Sequence, residues 1–283
     1  MSSPAPDSIP LPRHQAARIL YEDKAVLVVD KPAGWLLAPT SWRHTSRNLQ
    51  EAVERAIQSG APWAKRRRLR FLRYVHRLDA ETSGLLMFAR NPLALRRYSQ
   101  LFAAGHIRKL YVAIVHGTPP GDWTCELRLS TPNGPRQRAQ VNTSAGKEAY
   151  TRFRRIVSYL DSRQRRISIV LAHPYTGRTH QIRAHLAASG WPVVGDTLYG
   201  KGPTGIRAAC KHTCTVDTLA LRAIGLAYPD PFTRRLVHIT ASATSLLQQF
   251  TECSRHRELL QEAVDNWHTT CLFESETKNW LLD

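Results

Sequence analysis

Two rhythms of apolar residues alternate along the chain. Short β-rich runs that stop at turn residues predict buried strands, and apolar residues spaced three and four apart predict helices. Lys24 to Val29 is the first strand, stopped by Asp30-Lys31-Pro32-Ala33-Gly34, a turn with Pro second and Gly fourth counted from Lys31. Leu49, Val53, Ala56 and Ile57 mark a helix. Residues 84–89 read as a strand, and Pro92 opens a helix to about Ala104 with Leu93, Leu95, Tyr98, Leu101 and Phe102 on its apolar face. Leu110 to Val115 is another strand, closed by Gly117-Thr118-Pro119-Pro120-Gly121. Residues 122–150 are polar and predict a loop or hairpin excursion that carries Arg136 and Arg138. Strands are expected near 150–158 and 167–172. Thr179 suits the N-cap and Gly190 the C′ position of a helix between them, with Pro192 just beyond. Strand-like pieces at 218–228 and 235–240 are split by Pro229-Asp230-Pro231, and 244–270 reads as helix. Residues 1–15 are expected to be disordered. The chain carries no internal repeat.

Length and composition narrow the class. A chain of 283 residues, 42% hydrophobic, can bury a sizeable core in one large domain or two small ones. The formal net charge of +18 points to a polyanionic partner. Membranes are anionic too, but no apolar run approaches the ~20 residues of a spanning helix. Nucleic acid is the expected partner, and the excess of Arg over Lys fits planar and phosphate recognition. The Ser- and Pro-rich start is neither a signal peptide nor a span, which predicts a cytoplasmic protein. Five scattered cysteines, an odd number, fit a reducing compartment. Cys210, His212 and Cys214 lie close together, but Cys253, His256 and Cys271 are poorly spaced as a second half of a zinc site. No metal is expected.

Three stretches carry candidate chemistry. In His76-Arg77-Leu78-Asp79-Ala80-Glu81-Thr82-Ser83-Gly84 a charged turn runs straight into an apolar strand. A carboxylate there, beside an Arg, stays ionised and points in a fixed direction, as a nucleophile or base must. Equally, Asp79 can simply cap the turn through its own backbone. The run Lys65-Arg66-Arg67-Arg68-Leu69-Arg70 reads as a solvated face on its own, and as a phosphate-tracking patch beside the Asp79 turn. Arg178 and Arg183 sit at the start of a helix. Cations there face the positive end of the dipole at a cost of a few tenths to about 1 kcal/mol, which makes sense if a phosphate or carboxylate lies between them.

The stretch from His76 to Leu86 resembles the signature motif of the RluA family of RNA pseudouridine synthases. Three other blocks agree in order: Asp30 to Gly34, Arg108 to Gly117, and Gly177 to Leu186 continuing to Gly195-Asp196-Thr197-Leu198-Tyr199-Gly200. The likeness spans about residues 16–240. It implies an α+β fold, the pseudouridine synthase fold: a mixed, largely antiparallel sheet with flanking helices and a central RNA-binding cleft. It implies a catalytic domain at 16–245, between the disordered residues 1–15 and a helical extension at 246–283. The implied reaction breaks the bond from uracil to ribose, turns the base and rejoins it through carbon 5, with no cofactor. The implied partner is ribosomal or transfer RNA, and a monomer is expected.

The family's residues carry over one at a time. Asp79 matches the catalytic aspartate, and Tyr111 a tyrosine that lies against the base. Arg183 matches the arginine paired with the aspartate. Arg77 matches an arginine that fills the gap left by a flipped uridine. Arg178, His76 and Lys109 are the further RNA-binding candidates, Arg178 for phosphate, and Lys31 is structural. A hidden glycosidic bond requires base flipping, which costs a few kcal/mol. The chain departs from the family pattern at Trp35-Leu36-Leu37-Ala38-Pro39, which lacks a His before Pro39, and at Leu221-Arg222-Ala223, which stands where His-Ala is usual. Two other readings compete: a non-catalytic RNA-binding protein on this fold, and a glycoside hydrolase using Asp79 and Glu81.

Overall fold

A computed structural model describes residues 7–37, 47–130, 138–141, 144–200 and 218–273, with side chains to residue 267. The chain divides into two compact units. The first comprises Met1–Ile107, Pro229–Arg235 and Ile239–Ala241, and the second Arg108–Tyr228, Leu236–His238 and Ser242–Asp283.

In the first unit the elements are β1 (Ser8–Leu11), β2 (Gln15–Glu22), β3 (Val26–Lys31), α1 (Leu49–Gln58), α2 (Pro62–Arg66), β4 (Arg73–Tyr74), β5 (Ser83–Ala89) and α3 (Pro92–Ala103). The strands run β1-β2-β3-β5, with β4 beside β5, and every pairing is antiparallel. Val26 to Val29 and Leu85 to Ala89 are all buried, which is why they read as continuous apolar runs rather than alternating ones. Residues 8–11, expected to be disordered, form β1. Ile9 is fully buried, and Arg13 and His14 take positive φ to turn the chain into β2. Pro10 is tolerated because β1 is the edge strand of this unit's order. Asn48 and Asn91 cap α1 and α3, accepting the N–H of Glu51 and Ala94. The buried face of α3 is Ala94 and Tyr98; Leu93, expected inside, is exposed. Tyr98 donates its hydroxyl to Asp230 at 2.6 Å. Within the basic run, Lys65, Arg66, Arg68 and Arg70 are exposed, while Arg67 folds back onto Glu22 at 2.8 Å and Asp7 at 3.2 Å.

The second unit holds β6 (Arg108–His116), β7 (Asp122–Cys125), β8 (Thr151–Leu160), β9 (Arg166–Pro174), α4 (Gln181–Ala188), β10 (Leu221–Pro229, all but its last residue), the first three residues of β11 (Leu236–Thr240), α5 (Thr244–Leu247) and α6 (Ser254–Phe273). Its strands run β10-β6-β9-β8-β7, again antiparallel. The polar excursion after β6 thus contributes one strand to the sheet. The single helix expected over 244–270 is two, because Thr251 accepts the N–H of Cys253 and its hydroxyl meets His256, a local competitor for helical bonding. Leu260, Val264 and Trp267 of α6 are buried, so the C-terminal helix is part of this unit's core. The expected α+β class, with few helices and antiparallel sheet, is what the chain adopts. No helix among the described residues is long and apolar enough to cross a membrane.

Candidate active site

In the first unit the Asp79 turn is pinned at both ends. Ahead of it, Val75 donates its N–H to Met87 O at 2.9 Å. His76 accepts the N–H of Met87 on Nε2 at 3.2 Å and stacks on Phe102, ring centroids 4.5 Å apart. These contacts fasten His76 to β5 and α3. Leu78 is buried between an exposed Arg77 and a half-buried Asp79, so the turn inserts one apolar plug and presents the charges around it. Behind it, Thr82 donates its N–H to Asp79 O at 3.2 Å.

Lys31 supports this turn from below. It is fully buried, and its Nζ donates to Pro32 O at 3.0 Å, Trp35 O at 3.0 Å and Ala80 O at 2.9 Å. Gly34 donates its N–H to the same Ala80 carbonyl at 2.8 Å. Burial pushes the Lys31 ammonium down to about 7, and the nearby carboxylates of Asp79 and Glu81 act against that. The residue next to Asp79 is therefore tied to a turn some fifty positions earlier in the chain (|i−j| = 49). Glu81 itself is exposed.

In the second unit Tyr111 lies in β6, nearly buried, with Ala172 of β9 and Ala223 of β10 as its direct cross-strand partners. Residues directly opposite share a face of the sheet, so the ring is flanked by methyl groups on both sides. The departure at Leu221-Arg222-Ala223 thus falls beside Tyr111, and Arg222 turns its Nε to Ser242 O at 2.9 Å. Lys109, two positions before Tyr111, donates Nζ to Thr176 O at 2.9 Å. Burial, then the Arg178 charge, push its ammonium down to about 8. Arg178 is exposed and donates Nε to Glu148 O at 2.8 Å.

The helix bearing Arg183 starts one residue later than expected. His180, not Thr179, occupies the N-cap of α4, at φ +54 and without a side-chain cap bond. The side chain of Gln181 instead ties the loop before the helix: its Oε1 accepts from Arg178 N at 3.0 Å and Thr176 Oγ1 at 2.7 Å. Its Nε2 donates to Tyr150 O at 3.0 Å and Thr151 Oγ1 at 2.9 Å, which locks the loop to β8. Below it, buried His185 reaches Leu127 O at 2.9 Å and Thr151 Oγ1 at 3.0 Å. A carbonyl only accepts, so Nε2 carries the proton. Gly190 ends the helix at φ +90, as expected of a C′ glycine.

Arg183 meets a carboxylate within its own unit. Its Nε donates to Asp196 Oδ2 and its Nη2 to Asp196 Oδ1, both at 2.8 Å, with both side chains buried. Tyr199 lies against the guanidinium, 5.4 Å from ring centroid to Cζ, and Arg138 sits over the same ring at 4.8 Å. The need for an anion near this helix start was legible in the sequence. That Asp196 supplies one was not, because nothing local ties a turn carboxylate to an arginine thirteen positions before it (|i−j| = 13). Gln181 and Asp196 are the two residues of the site that the sequence reading left without a task.

Among the described residues no group of three or more His, Cys, Asp or Glu is arranged to hold a metal. Cys210, His212 and Cys214 lie outside the described residues, as does the side chain of Cys271. Cys253 is exposed, and His256 is engaged with Thr251 and Tyr159.

Comparison with known proteins bears on what this geometry serves. A family model described as RNA pseudouridylate synthase matches residues 25–188. An uncharacterized RNA pseudouridine synthase of Zymomonas mobilis is 36% identical over 188 residues, covering 65% of this chain and 79% of its own. The dual-specificity RNA pseudouridine synthase RluA of Escherichia coli is 35% identical over 184 residues, 64% of this chain and 76% of that one. The ribosomal large subunit pseudouridine synthase C of Vibrio cholerae is 30% identical over 257 residues, 88% of this chain and 73% of that one. The solved structure of human RNA pseudouridylate synthase domain containing 1 has the same fold, with a TM-score of 0.63 at 23% identity over 89% of this chain and 91% of that one.

Proposed function

The chain belongs to the RNA pseudouridylate synthase family, and from that premise we propose that it converts uridine to pseudouridine in large-subunit ribosomal RNA with Asp79 as the reacting carboxylate. It is an isomerase acting on RNA. The bond from N1 of uracil to C1′ of ribose breaks, C5 bonds to C1′, and the proton on C5 is lost as N1 gains one. Every atom stays within the nucleotide apart from the exchanged protons, so the protein's task is to extrude the base, hold it and move protons.

The roles follow the motif. Asp79 attacks or abstracts at the reacting nucleotide. Arg77, exposed beside it, enters the space vacated by the base and meets phosphate. Tyr111 lies against the uracil, with alanines on either side leaving room for a planar ring. Arg183 acts with the carboxylate, and Arg178 and Lys109 contact the RNA backbone. His76 serves the reaction indirectly by holding the Asp79 turn on β5 and α3. The observation that carries the reading is this turn itself: a half-buried aspartate in a turn fastened by buried Lys31 through Ala80 O and by His76 through Met87 N. A ribosomal target is supported by the Vibrio relative, whose name states that substrate. Transfer RNA is the other class to test.

Asp79→Asn should abolish pseudouridine formation while RNA binding survives, since the amide keeps the shape and loses the charge. Turnover near wild type in a direct pseudouridine assay would reject the assignment. Mapping pseudouridines in total RNA from cells with and without the gene identifies the uridine and the RNA that carries it.

A further inference from the structure

The contact between Arg183 and Asp196 is more than a neutralised buried charge. Asp196 lies in a turn that closes only with glycine at its ends. Gly195 takes φ +77, and a Cβ there would sit 2.3 Å from Thr218 O; a Cβ on Gly200 would sit 2.3 Å from Asp196 O. Within the turn, Asp196 Oδ1 accepts the N–H of Leu198 and of Tyr199, each at 2.9 Å. The carboxylate is thus held by backbone before it meets any arginine. The segment leading into the turn is fastened to β6: Val194 donates its N–H to Ile114 O at 2.8 Å, and His116 donates to Pro192 O at 3.0 Å. Asp196 is a rigid fixture of the strand that bears Tyr111.

A guanidinium gripped at Nε and Nη2 cannot rotate or slide in its plane without breaking both bonds. The Tyr199 ring restrains it out of that plane, and Tyr199 is itself held by its hydroxyl on Ala139 O at 3.2 Å. We propose that Asp196 is a positioning residue for pseudouridine formation: it sets the plane and direction of the Arg183 guanidinium and so orients that charge for the reaction. The inference rests on the role given to Arg183 above. It adds that an arginine on α4 works only as one half of a fixed pair.

The test separates orientation from folding. Asp196→Asn keeps an Oδ1 for the two backbone N–H groups, so the turn still closes, but it sets an NH2 group against Arg183 Nε. The probe is a large-subunit ribosomal RNA transcript carrying tritium at uracil C5, with tritium release as the rate and urea unfolding as the check on folding. For Asp196→Asn, kcat should fall by about 100-fold, the scale of a misplaced reacting group, with KM within about threefold of wild type and the fold intact. Asp196→Ala, which also removes the turn's acceptor, should lose the same rate and stability besides. If Asp196→Asn keeps its kcat while Arg183→Ala loses it, the inference fails and the role of Arg183 stands. If Arg183→Ala is as active as wild type, both fail. A rate loss that only tracks the unfolded fraction assigns Asp196 to stability and overturns the inference.

Discussion

Single side chains here do work that their type alone does not announce. Lys109 and Lys31 are both lysines whose ammonium groups burial pushes down, to about 8 and about 7. For Lys109 this has a measurable consequence. Below about 8 the folded chain carries its charge; above it the charge is lost, while the unfolded chain keeps its proton to the ordinary lysine value. Stability therefore rises with pH between about 8 and that value, since the unfolded state binds more protons there. RNA affinity should move the other way and weaken as pH rises through about 8. Titrating RNA binding from neutral to alkaline pH checks this, and Lys109→Met should flatten the step. A step that persists in Lys109→Met would trace it to another group.

Elements are joined by contacts between distant positions, and two of these set clear costs. Lys31 at the end of β3 satisfies three carbonyls, those of Pro32, Trp35 and Ala80. Lys31→Met fills the volume but takes the ammonium from the carbonyls of Pro32 and Trp35 and leaves Ala80 O with the Gly34 N–H alone, at an expected cost of about 3 kcal/mol in urea unfolding. Because Ala80 follows Asp79, that variant should also lose kcat beyond what its folded fraction explains. On β10, a Cβ at Gly225 would lie 2.8 Å from Trp267 of α6 and 2.9 Å from the Cβ of Leu110. Gly225→Ala should destabilise the chain by about 1–3 kcal/mol through overpacking. An unchanged unfolding midpoint would mean that α6 is not seated on that strand in solution.

The charge belongs to the whole molecule. The net charge is +18, and among the described residues Arg66 of α2 and Arg152 and Arg154 of β8 are exposed, with others in the loops. Each phosphate they neutralise releases counterions, so RNA affinity should fall by about 10³-fold between about 50 and about 200 mM salt if six phosphates are met. A slope near zero in a salt titration would show that this charge does not face the RNA. The catalytic assignments do not depend on that slope, because they rest on motif residues rather than on bulk charge.

The sequence by itself determined the strands β3, β5, β6 and β9, the helices α1 and α3, the Asp79 turn and the family to which the chain belongs. Those features are local: a run of apolar residues, a cap or a turn residue is read where it stands. Tertiary structure decided the rest. It made a strand of the Pro-bearing residues 8–11, because pairing with β2 supplied what their composition lacked. It moved the start of α4 to a left-handed His180, because Gln181 had partners in Tyr150 and in Thr151 of β8 that no neighbour in sequence reveals. It gave Arg183 its partner in Asp196 and Lys31 its partner in Ala80, since the direction of a side chain becomes fixed only when strands far apart in sequence are brought side by side.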